Sequence, residues 1–115
     1  MQISDEMYHT RYQEQTKSML RELSFGAYHD GYVQLCIGIP RYAQDTIQGM
    51  CKELYPYIAD ELGHGNWHSV ERSIRFAIMD AWERRDSEIW ETYFPNLQKP
   101  PTNKVFIATL ADRLK

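Results

Sequence analysis

Only two cysteines, Cys36 and Cys51, occur in the 115 residues, and their spacing builds neither a disulfide framework nor a zinc site. They read as buried thiols acting as small apolar residues in a reducing compartment. No apolar run approaches the roughly 18 to 20 residues that a membrane span needs, so no membrane partner is expected. The opening MQISDEMYHT has neither the basic start nor the apolar stretch of a signal peptide, which makes the cytoplasm the expected location. Internal repeats, low-complexity tracts and linkers are missing as well.

Positive charge is also in short supply. Lys and Arg number 13 against 16 Asp and Glu, a net charge of −3, which as an average does not favour a nucleic-acid partner. Phosphate contacts depend on local surface, however, and the charge is unevenly spread. Residues 86–98 carry Asp86, Glu88 and Glu91 with no basic residue, whereas residues 99–115 carry Lys99, Lys104, Arg113 and Lys115 against Asp112 alone. Residues 67–85 hold Arg72, Arg75, Arg84 and Arg85 against Glu71, Asp80 and Glu83. This distribution permits a basic face.

Catalytic constellations are lacking. There is no Ser-His-Asp arrangement, nucleophile elbow, phosphate-cradling glycine loop or converging carboxylate pair, so neither an enzyme nor a cofactor is expected. His64 and His68 are four apart, with Glu71 one turn on, and such a pair on a helix can bind zinc. His64, however, falls in a glycine-flanked turn, no cysteine is near in sequence, and no metal is expected.

What remains is ordinary for one globular domain: 43% hydrophobic and 13% aromatic residues, enough for a single core built on Tyr, Trp and Phe as much as on Leu. Apolar residues at helical spacing predict a helix over 5–23, ended by Ser24-Phe25-Gly26. A second helix is predicted over 30–44, kinked or stopped just before Pro40 because proline cannot donate its backbone hydrogen bond. A third is predicted from Asp45, its candidate cap, to Leu62, along a stripe that includes Ile47, Met50, Cys51, Leu54 and Ile58, with a bend or break at Pro56. Gly63-His64-Gly65-Asn66 is strong turn chemistry, and Asn66 is a good N-cap. Val70, Ile74, Ala77, Ile78, Ala81 and Trp82 then give one buried stripe on a helix over 67–85. A short helix over 87–93 is stopped by Pro95-Asn96, and Thr102 caps a last helix through Leu114. The class is all-α: six helices, no strand, one domain over residues 1–115.

A helix, a tight glycine turn and a second helix, here within residues 54–85, make the outline of a helix-turn-helix. Many all-α domains share that outline, and the second helix is more telling. Its buried stripe leaves Ser69, Arg72, Arg75, Phe76 and Met79 on or near the outward face, with His68 at its start. Arg72 and Arg75 lie one turn apart in the half of a recognition helix that enters the major groove, where arginine bonds bidentately to guanine. Glu71 can accept from cytosine or hold an arginine in its working rotamer, while Asn66 and the helix N-terminus suit a phosphate. The plainer reading is that Glu71 and Arg75, at i and i+4, form a solvated surface pair. Phe76 either needs a partner outside the chain or packs under the C-terminal helix.

The stretches LYPYIA (54–59), VERSIRFAI (70–78) followed by Ala81-Trp82, and Pro101-Thr102-Asn103 with Phe106-Ile107-Ala108 resemble a known family. It is the C-terminal effector domain of the sporulation master response regulator of endospore-forming Firmicutes, of the response-regulator effector, winged-helix-like class. The resemblance covers roughly residues 17 to 115, with the blocks in the same order. It implies a six-helix domain whose helix-turn-helix binds a short operator element, often in tandem copies. By position, Glu71, Arg72 and Arg75 match recognition-helix residues, and Pro101 to Asn103 lie near the DNA backbone. Ser69 stands where the family has arginine, Phe76 where it commonly has histidine, and Pro40 interrupts a helix that is usually continuous. Residues 1–15 have no clear counterpart. No receiver domain is present, which leaves a fragment or, as Met1 favours, a stand-alone relative.

The expected function is a sequence-specific transcriptional regulator. Ser69, Glu71, Arg72 and Arg75 would contact bases, and Asn66, His68, Lys99, Asn103 and Lys104 would contact the DNA backbone. The partner is double-stranded DNA, with a homodimer on tandem sites and a response regulator or RNA polymerase as further candidates. The rival is a helix-turn-helix module that has lost DNA binding and modulates a full-length regulator. A converging Arg72, Arg75, Lys99 and Lys104 favours the first reading; intruding acidic side chains from 86–91 favour the second.

Overall fold

The computed structural model describes residues 5–44, 49–63 and 66–115, with the side chains of residues 5–9 and 51 excepted. The proposed cap Asp45, together with Ile47, His64 and the side chain of Cys51, lies outside them. Among the described residues there are six α-helices and no strand. They are α1 (Asp5–Glu22), α2 (Asp30–Gln44), α3 (Tyr55–Glu61), α4 (Trp67–Glu83), α5 (Ser87–Tyr93) and α6 (Asn103–Leu114). None is long and apolar enough to cross a membrane.

Helix α2 is the central element, packed against α1, α4 and α6. Its buried side includes Leu35, Cys36, Ile39 and Pro40, and the helix continues through Pro40 to Gln44. The expected stop before Pro40 does not occur. A proline inside a helix costs about 3 kcal/mol through its missing donor and ring clash. Packing on three sides outweighs that cost, because most helix stability in proteins comes from burial of an apolar face. Burial also pushes the Cys36 thiol up to about 11, so it is a protonated, inert core group, as its residue type suggests.

Pro56 acts differently. The helix expected over 45–62 is broken: one π-helical turn, Met50–Leu54, feeds α3, which carries Pro56 in its first turn. The backbone N–H of Tyr55 donates to the carbonyl of Met50, five residues back. Widening this turn removes the steric conflict between the proline ring and the carbonyl four residues earlier.

The sequence-predicted ends are observed at α1, α4, α5 and α6. Ser24 (φ +70°) closes α1, its N–H donating to Arg21 O (3.1 Å) while that of Phe25 donates to Leu20 O (2.9 Å). That pairing is a Schellman motif. Gly63 (φ +72°) follows α3 in the left-handed conformation that glycine adopts without penalty. Asn66 caps α4, its Oδ1 accepting from Ser69 N (3.1 Å), and Thr102 caps α6, its Oγ1 accepting from Val105 N (3.2 Å). Asp86 caps α5 by accepting from Glu88 N and Ile89 N. Helix α4 stops at Glu83, leaving Arg84 and Arg85 just beyond it.

The core is partly aromatic, as composition suggests. Phe25, Trp90, Phe94 and Phe106 are buried together, with Phe25–Phe106 centroids 5.1 Å apart and Phe94–Phe106 centroids 5.5 Å apart. Trp90 Nε1 donates to Leu23 O (3.1 Å), which pins α5 to the end of α1. Val70, Ile74, Ala77, Ile78 and Ala81 of α4 are buried, so the opposite face of α4 is fixed as the outward one.

Candidate nucleic-acid interface

Two open grooves flank the outward face of α4, and Arg72 lines both. The first, about 700 Å³, lies between α4 and the start of α6. Into it the fold brings His68, Glu71, Arg72 and Arg75 from α4, Thr102, Asn103 and Lys104 from the α6 start, and Met50 and Tyr55 from the preceding turn and α3. Six residues singled out in the sequence therefore share one surface depression. The second groove, about 340 Å³, lies between α4 and the start of α2 and contains Ser69, Arg72, Ser73 and Phe76 beside His29. Asn66 and Lys99 are exposed and border neither groove. Arg72, Arg75 and Lys104 thus converge, and Lys99 does not join them.

The geometry distinguishes residues that the sequence treats alike. Arg72 is exposed, whereas Arg75 is half-buried and its Nη1 donates to Pro101 O at 2.6 Å. Four further N–H donors of that guanidinium remain for other partners. Asn103 is 8% exposed. Its Nδ2 donates to Tyr55 Oη (3.2 Å) and to the Glu71 backbone carbonyl (3.0 Å), joining α3, α4 and α6. Its Oδ1 is buried without a hydrogen-bond partner. The Asn103 side chain thus points into the fold, whereas Thr102, Lys104 and Val105 are exposed at this helix start.

At the start of α4 the ring of His68 stacks on Trp67 at 3.7 Å, and Trp67 in turn lies parallel to Tyr55 at 6.4 Å. Helix starts leave their first N–H groups without intrahelical acceptors, and both α4 and α6 direct such a start toward this region. Two of the three acidic residues of 86–91 are engaged locally. Asp86 caps α5, Glu91 accepts from Asn96 N (3.1 Å), and none of the three carboxylates lines either groove.

On the second groove the Phe76 ring is 64% exposed and does not pack under α6. It lies 5.7 Å from the His29 ring. His29 Nε2 hydrogen-bonds Asp80 Oδ2 at 2.9 Å. Asp80 also accepts from Arg84 Nη2 at 2.7 Å, and Arg84 first, His29 second, hold its carboxyl below the usual carboxylate value. Sequence reasoning did not place Tyr55, Met50 or His29 at the site, nor foresee the bond from Arg75 to the Pro101 carbonyl. Tyr55 and Pro101 fall inside the quoted motifs, but no periodicity announces a hydroxyl or a carbonyl as a tertiary anchor. Among the described residues no group of His, Cys, Asp and Glu could hold a metal ion.

Residues 16–114, nearly the whole chain, match the family model described as sporulation initiation factor Spo0A C terminal.

Proposed function

Because this chain belongs to the Spo0A C-terminal family of DNA-binding sporulation regulator domains, we propose that it binds a promoter operator element sequence-specifically. In this reading α3 braces the duplex backbone and α4 enters the major groove. One observation carries it: outward arginines of α4 and the cationic, capped start of α6 face one groove that the acidic segment does not enter.

Arg72, exposed and shared by both grooves, is the principal base reader, bonding guanine bidentately. Glu71 accepts from cytosine or orients Arg72, and Ser69 makes a weaker contact. Arg75 uses one N–H to tie α4 to Pro101 and can offer others to a base or phosphate. Phosphates are met by Lys104, Lys99, His68 and Asn66, and by the first N–H groups of α4 and α6. Asn103 serves from inside, holding the α6 start against α4. Tandem elements would seat two copies side by side.

The test is fluorescence anisotropy on an operator duplex and a scrambled duplex at two salt concentrations. Operator-selective binding that weakens with salt is expected. Arg72→Ala should lose about 1–3 kcal/mol on the operator and far less on scrambled DNA. Equal loss on both duplexes would contradict base reading, and no binding at low salt would sink the DNA reading.

A further inference from the structure

Ser69, Arg72, Ser73 and Phe76 form one stripe on α4, at i, i+3, i+4 and i+7, and all four line the groove shared with the start of α2. The stripe begins polar and cationic and ends in a large apolar ring that is 64% exposed. An aromatic ring exposed at that level beside an arginine presents apolar surface that the fold leaves uncovered. Nor is the ring loosely placed. His29 lies against it at 5.7 Å, and His29 is itself fixed by Asp80 at 2.9 Å and flanked by Tyr28 at 4.5 Å. Phe76 therefore rests on a backed aromatic shelf and presents an apolar surface outward.

If α4 lies in the major groove, the surroundings of Phe76 are base edges, most of whose exposed groups are hydrogen-bond donors and acceptors. The C5 methyl of thymine is the apolar group there, and aromatic side chains contact it. Four residues of helix advance about 6 Å, against about 3.4 Å per base-pair step, so Phe76 faces a base one to two steps from the one Arg72 faces. We propose that Phe76 is a specificity-determining residue that reads the C5 methyl of a thymine one to two base pairs from the base read by Arg72. This rests on the DNA reading above.

The experiment selects a preferred duplex from a randomised pool with the wild-type protein, then replaces each thymine of that duplex by uracil, one at a time. Uracil keeps the pairing and loses only the methyl. One replacement should weaken wild-type binding about fourfold, the worth of one buried methyl group. Phe76→Ala should bind the thymine and uracil versions of that position equally, and weaken binding to the thymine version by a similar factor. A wild-type protein indifferent to every replacement overturns the proposal without recourse to a variant. So does a Phe76→Ala protein that still discriminates. If no duplex is selected over the starting pool, the DNA reading itself fails, a different outcome from a selected duplex that ignores the methyl groups.

Discussion

Ser24 holds a conformation that residues other than glycine and asparagine rarely adopt, φ +70° at the end of α1. The Schellman pairing needs it, and serine occupies the position where glycine would sit without strain. Ser24→Gly should therefore stabilise the domain by about 0.5–1 kcal/mol, read as a higher urea midpoint at unchanged slope. An unchanged or lower midpoint would mean that the serine hydroxyl contributes more than the backbone strain costs. Arg75 and Asn103 make a related point. Both residue types suggest DNA contact, yet one guanidinium N–H and the Asn103 Nδ2 amide are directed at backbone carbonyls or a phenol of this chain. Residue chemistry names what a side chain can bond to; only position decides whether the bond is made inside or outside.

Among the elements, the pairing of α2 with α4 sets how far the outward face of α4 stands from the domain. Gly31 is a point of close approach. A Cβ there would collide with the Ser73 carbonyl oxygen and come within 2.7 Å of Ala77 Cβ. The first of these is backbone of α4, which cannot move without displacing Arg72 and Phe76 with it. Gly31→Ala is expected to destabilise the domain by about 1–3 kcal/mol, the usual cost of overpacking, despite alanine's better helix propensity. Equilibrium denaturation checks this, and a stabilised Gly31→Ala protein would show that the two helices separate readily. The two prolines show the same control by packing. Pro40 leaves α2 intact because three helices surround it, while Pro56 falls where a new helix starts and is accommodated by one wide turn. Proline alone gives the same signal in both places.

At the scale of the whole molecule, the His29–Asp80–Arg84 group joins the segment before α2 to α4 across 51 residues of sequence. The Asp80 carboxyl lies below its ordinary value because Arg84 and His29 bond to its charged form. A depressed folded-state value means stability that is present above the unfolded-state value, near pH 4, and lost as pH falls through the folded-state value. Asp80→Asn should accordingly be somewhat less stable than the parent at pH 7 and lose less stability between pH 5 and pH 2. Thermal melts across that range test it, and parallel pH profiles for the two proteins would count against Asp80. Because His29 also backs Phe76, the same variant should loosen the second groove more than the first.

The sequence by itself determined the class, the number of helices, most of their ends and the outward face of α4. Those features follow from local rules: the 3.6-residue period, side chains that cap neighbouring N–H groups, and a glycine at 63. Six of the nine contact residues it proposed lie in one groove, four of them on a single helix. Tertiary structure decided the rest. It carried α2 through Pro40, turned Asn103 inward, linked Arg75 to Pro101 and set His29 beneath Phe76. Each of these depends on contacts between residues 26 to 51 positions apart, or on burial by several helices at once, and no local pattern encodes the distance between two helices.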